Sequence, residues 1–126
     1  MELTVTHNAA ASPVDIAAMA HFIAGLQRAS GEIPWSEGGK ADPWDHIESA
    51  MGLSVAGYFS QAEHAYQWLI KTQLPDGSWW SESKDGVIIN ATKETNFAAY
   101  VAVGVYHHYL ITGNRDFLRT MWPTVS

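Results

Sequence analysis

The sequence predicts an all-α fold in which helices alternate between an outer and an inner layer, and three observations carry that expectation. Segments with a single apolar stripe alternate with segments that are apolar on nearly every side. A set of residues recurs after 46 positions. The stretch QLPDGSWW, residues 73–80, has the form of a helix end, a tight turn and an aromatic plug.

Residues 1–11 show no periodicity and read as a flexible terminus ahead of a single domain at 12–126. Ser12 is placed to cap the first helix, with Pro13 at its first position and Asp15 in its first turn. Ile16, Met19, Ile23 and Leu26 then form one stripe that ends at Gln27 and Arg28, an outer helix. A loop rich in glycine and polar residues follows at 29–41. Phe22, Ile23 and Gln27 recur as Trp68, Leu69 and Gln73, and Gly31 recurs as Gly77, with Trp35 standing in at a shifted position for Trp79. Stacked helix pairs produce a period of this size.

Asp42 and Pro43 signal a second helix, with Asp45 and Glu48 in its first turns. Beyond Glu48 it is small or apolar on every side, which predicts an inner helix surrounded by protein. Ser60 and Glu63 form a capping box for another outer helix, whose face carries Ala62, Tyr66, Leu69 and Gln73. After the turn at Pro75, Asp76 and Gly77, residues 81–93 read as a loop with an extended piece at 87–89. Thr92 caps the second inner helix, which Gly113 closes. Asn114 caps a last outer segment with Phe117, Leu118, Met121 and Val125 at helical spacing until Pro123 kinks or ends it.

Gln73, followed after two residues by Asp76-Gly77-Ser78-Trp79, resembles the QW motif of the terpenoid cyclase and protein prenyltransferase superfamily. The resemblance implies a partial α/α toroid. In it Gln73 ties the end of an outer helix to the start of the next inner one, Trp79 stacks on it, and Asp76 and Gly77 form the turn. A closed toroid needs more hairpins than this chain holds, so the domain is expected to be incomplete at its C-terminus. The remainder of the toroid, or self-association, would then cover its apolar flanks.

Charged residues make up 16% of the chain, below the roughly 25% usual in soluble domains, so much of the surface is expected to meet other protein. Seven basic against 13 acidic residues, a formal charge of −6, argue against a nucleic-acid partner. The absence of cysteine excludes disulfides and thiolate zinc sites. The start lacks the basic and apolar regions of a signal peptide, which makes the cytoplasm the expected location. The longest apolar run, residues 97–106, is far short of the roughly 20 residues of a transmembrane segment.

The resemblance further implies a cavity that opens at the N-terminal ends of the inner helices, bringing residues 42–48 and 92–96 together. Asp45 and Glu48 share a helix face and are the leading catalytic candidates, because two close carboxyls are driven to different pKa values. His46 is the candidate proton carrier, and Glu94 and Asn96 are secondary candidates. Caps and dipole partners are the competing reading for the acids, and a satisfied polar neighbour for His46. Trp44, Trp35 and Trp80 are the aromatic candidates for substrate contact, against a reading as plugs and core. His107 and His108 lack partners at metal-ligand spacing and read as buried, hydrogen-bonded residues. No cofactor motif is evident, and a divalent metal is left open.

From the resemblance, the expected substrate is an isoprenoid, held in an aromatic cavity by a cyclase or transferase. The chain carries neither the DxDD acid motif of the cyclases nor the zinc thiolate of the protein prenyltransferases. The alternative is a six-hairpin glycosidase acting on a saccharide, a class that shares the helical toroid and whose hairpins residues 112–125 resemble; there two carboxyls flank the bond, and the second would lie outside this chain. A third reading is a non-catalytic helical-repeat binding module.

Overall fold

The computed structural model describes residues 14–126. Those residues form α1 (Ile16–Leu26), α2 (Pro43–Val55), α3 (Phe59–Thr72), β1 (Glu82–Lys84), β2 (Val87–Asn90), α4 (Thr95–Thr112) and α5 (Arg115–Val125). The fold is mostly helical, as expected. Helices α2 and α4 pack side by side, α1 and α3 lie against α2, and α5 bridges α3 and α4. One core joins Ile47, Ala50 and Leu53 of α2, Ala65, Tyr66 and Leu69 of α3, Val101 and Val105 of α4, and Phe117 and Met121 of α5.

Close approach at the centre depends on Gly104. A Cβ there would lie 2.6 Å from Ile47 Cγ2 and 2.7 Å from the Tyr66 hydroxyl, so only glycine lets α4 pass between them.

The 46-residue recurrence is real at the level of backbone and hydrogen bonds. Gln27 and Gln73 both follow a helix directly, with φ, ψ of −60°, 126° and −62°, 131°. Each amide nitrogen donates over 3.2 Å to the carbonyl four residues on, that of Gly31 or Gly77. Both glycines have positive φ, 97° and 86°, which lets the chain reverse at no steric cost. Each amide also reaches the following outer helix: Gln27 bonds the Gln61 carbonyl at 2.9 Å in α3, and Gln73 the Thr124 carbonyl at 3.0 Å in α5. The link therefore runs from one outer helix to the next, not to the start of an inner helix. Trp79 is buried and donates its indole N–H to the Leu69 carbonyl at 2.9 Å, closing over the end of α3.

Several local expectations are corrected. The plug of the first repeat is the buried Ile33, which stands 46 positions before Trp79, whereas Trp35 is exposed. Asp15 itself caps α1 by accepting from Ala18 N, and the cap assigned to Ser12, like residues 1–11, lies outside the described residues. No capping box forms at Ser60, because α3 begins one residue earlier at Phe59 and Glu63 instead accepts from Asn114 Nδ2 at 2.9 Å. Thr92 does not cap α4. Its hydroxyl meets Ser81 and Asn90, and the helix starts at Thr95. Residues 82–90 form a hairpin rather than a loop, turning at Asp85 and Gly86 with φ of 49° and 81°. α5 continues through Pro123 to Val125.

The layering also differs from expectation in one respect. α2 and α4 are not enclosed: Val55, Val103, Tyr106, Leu110 and Ile111 are exposed on faces that no described element covers. In α1 the apolar stripe meets little core, with only Ala20 buried, and it opens instead onto a cleft.

Two substitutions test these contacts. Trp79→Ala should cost about 3–5 kcal/mol in urea denaturation, as expected for loss of a buried aromatic. Gly104→Ala should cost about 1–3 kcal/mol through overpacking against Ile47 and Tyr66.

Candidate active site

The N-terminus of α2 is built by Asp42 and by the imidazole of His46. Asp42 has an extended backbone, caps the helix through Asp45 N at 2.9 Å, and is followed by Pro43, whose missing N–H costs nothing there. Its second oxygen accepts from Trp35 Nε1 at 2.5 Å, which draws the loop before α2 across the helix end.

That loop is held from the other side by an ion pair between Arg28 and the fully buried Glu32. Ser83 of β1 donates to the same carboxylate at 2.8 Å, and Ala41 and Ser83 exchange backbone bonds.

His46, the expected proton carrier, is fully buried. Its Nδ1 accepts from Ile33 N at 3.0 Å, so Nε2 carries the proton and donates to the Ala65 carbonyl at 2.8 Å. Burial lowers its pKa to about 4, against weaker raising effects from Ala65 and Asp42. With both nitrogens committed to backbone, the ring fastens loop, α2 and α3 together and is neutral at pH 7.

Between α1 and α2 lies a cleft of about 720 Å³. Met19, Phe22, Ile23, Leu26, Ile33 and Pro34 make it largely apolar, and Trp35, Asp45 and Glu48 also line it. Asp45 is the perturbed acid in this cleft. Burial raises its pKa to about 6, followed by the charge of Asp42, a hydrogen bond with Asp42 and the charge of Glu48.

Glu48 faces the other inner helix as well. Its Oε1 accepts from Trp44 Nε1 at 2.8 Å and from the Tyr100 hydroxyl at 3.3 Å, and the Trp44 and Tyr100 rings stack at 3.8 Å with planes 7° apart. The structure thus brings Asp45, Glu48, Trp44 and Trp35 to one end of the molecule. Tyr100 joins them there. The sequence reading missed it, although its position one helical turn after Asn96 marks it as a residue near the same end of α4.

The other candidates fall elsewhere. Glu94 precedes α4 without making a side-chain cap, and it and Asn96 are exposed and outside the cleft. Trp80 lies at the base of the hairpin with Trp79, Trp68 and Ile88, and Lys93 Nζ sits 5.0 Å above its ring. His108 is buried, 2.8 Å from Ser54 Oγ and 3.7 Å from Glu63, with burial lowering its pKa. Among the described residues no cluster of three or more His, Cys, Asp or Glu is arranged to hold a metal ion, and no helix is long and apolar enough to cross a membrane.

No family model matches the chain. It is 53% identical over 107 residues to a Mycolicibacterium hassiacum protein named "MMP endo-(1,4)-3-O-methyl-alpha-D-mannosidase". That alignment takes in 85% of this chain but 30% of the relative, so the chain spans less than a third of the length of the curated protein it matches.

This similarity overturns the isoprenoid reading. The relative is named as a glycosidase, not as a terpenoid cyclase or prenyltransferase. The Gln73–Trp79 turn is a helix-end device, and a device that secures backbone ends carries no information about the reaction. Its likeness to the QW motif does not indicate kinship with those enzymes.

The titration of Asp45 has a defined sign. A carboxyl that ionises near 6 when folded and near 3.8 when unfolded binds more protons in the folded state across that interval, so it costs stability as pH rises through it. Asp45→Asn should therefore melt at a higher temperature than the parent at pH 8, and the difference should shrink toward pH 4. Equal melting temperatures at every pH would contradict the raised pKa.

Proposed function

We propose that this chain contributes to the active site of a glycoside hydrolase that cleaves α-(1,4)-linked, O-methylated mannose saccharides. The observation that carries the proposal is the placement of Asp45, with its raised pKa, in an open cleft at the start of α2. The name of the relative supports the saccharide class and the linkage.

Glycoside hydrolysis requires a proton at the leaving oxygen while positive charge develops on the sugar ring. An acid that titrates near 6 holds a proton often enough to donate it near neutrality and is basic enough to take one back from water. Asp45 is given that role. Burial contributes most to keeping the Asp45 proton in place, and Asp42, with one oxygen bonded by Trp35 and the other by Asp45 N, adds its charge to that effect. The wall that α1 contributes to the cleft is largely apolar.

Asp45→Asn should lower kcat on α-(1,4)-linked 3-O-methylmannose oligosaccharides by about 10²–10⁴-fold, the usual contribution of a positioned acid or base. The limb of the pH–rate profile near pH 6 should vanish with it. Full activity in that variant would remove Asp45 from the chemistry. Saccharide binding without turnover in the parent would favour the binding-module reading.

A further inference from the structure

Helices α2 and α4 meet, at the end where Asp45 lies, through the stacked rings of Trp44 and Tyr100. Each ring spends one face on the other, and both remain half-buried rather than enclosed. Glu48, exposed beside them, accepts from both rings' polar groups through one oxygen. Its Oε2 has no hydrogen-bond partner among the described residues. Glu48 also lines the cleft together with Asp45, three residues away on the same helix face, and so connects the stacked pair to that cleft.

We infer that Trp44, Tyr100 and Glu48 form a saccharide subsite next to Asp45, in which a pyranose ring lies on the outer face of the aromatic pair and a sugar hydroxyl donates to Glu48. The inference rests on the glycosidase reading for the kind of ligand, but on this stack and carboxylate for the place. A pyranose has an apolar C–H face and a rim of hydroxyls. A flat aromatic face bordered by a fixed carboxylate matches both.

The Trp44 indole N–H, at 2.8 Å, and the more distant Tyr100 hydroxyl, at 3.3 Å, both orient Glu48 before any ligand arrives, which lowers the freedom to be lost on binding. Hydroxyl-to-carboxylate bonds are among the stronger hydrogen bonds available to an uncharged sugar.

The test measures binding of α-(1,4)-linked 3-O-methylmannose oligosaccharides of increasing length by calorimetry, in the Asp45→Asn background so that turnover does not interfere. Trp44→Ala should weaken binding of the longer saccharides about tenfold, the scale of one lost aromatic contact. Trp44→Phe should recover much of that loss. Glu48→Gln and Tyr100→Phe should weaken binding by smaller factors, with unchanged circular dichroism and melting.

Parental affinity in folded Trp44→Ala and Glu48→Gln proteins would overturn the subsite. If Asp45→Asn keeps its activity while Trp44→Ala loses affinity, the catalytic assignment fails and the subsite stands. If Asp45→Asn loses activity while Trp44→Ala keeps its affinity, the catalytic assignment stands and the subsite fails.

Discussion

The fold at the site end depends on a neutral imidazole. His46 takes an N–H from Ile33 and gives its own to the Ala65 carbonyl, so one ring satisfies two buried backbone groups that belong to different segments. A carboxylate or an amine could not do both, because the pair requires one acceptor and one donor on opposite sides of a rigid plane. Protonation would destroy the acceptor. The protein resists it by burial, at the cost of stability lost as pH falls from about 6.5 toward 4. With the ring in place, Ile33 can plug the first repeat, and Pro34 and Trp35 are carried to the rim of the cleft.

The architecture was legible because its signals are local. A single apolar stripe differs from an apolar cylinder in sequence, and Asp42-Pro43, Gly113 and Asn114 mark helix ends through backbone chemistry alone. The repeat was legible for the same reason, since Gln27 with Gly31 and Gln73 with Gly77 solve one problem of chain reversal twice. What those residues reach afterwards was not legible. The second acceptors, in α3 and α5, are set by tertiary packing. Trp35 was misassigned because size suggested a plug where position favoured Ile33. The enclosure of α2 and α4 was overread, since an apolar surface records what a helix can bury and not what lies beside it.

The site was partly legible. Asp45 and Glu48 were found by spacing, yet spacing placed both on one face and gave no account of their different surroundings. Glu48 turns toward Trp44 and Tyr100, and Asp45 toward Asp42 and the cleft. The position of Tyr100 one turn after Asn96 was legible, but its role was not, because that role arises from a contact between residues 52 apart in the chain. The reaction class was misread from a motif whose work is structural.

The environment of Asp45 bears on the catalytic role proposed for it. A carboxylate in the first turn of a helix is favoured by the macrodipole, which acts to lower its pKa. If complementing the dipole were its whole purpose, Asp45 would titrate at or below the ordinary carboxylate value. It is raised instead, because burial and two neighbouring carboxylates outweigh the dipole. Removing the charge of Glu48 would relieve part of that conflict without loss of the cap, which Asp42 supplies. The proton-transfer role proposed for Asp45 would make use of that raised pKa.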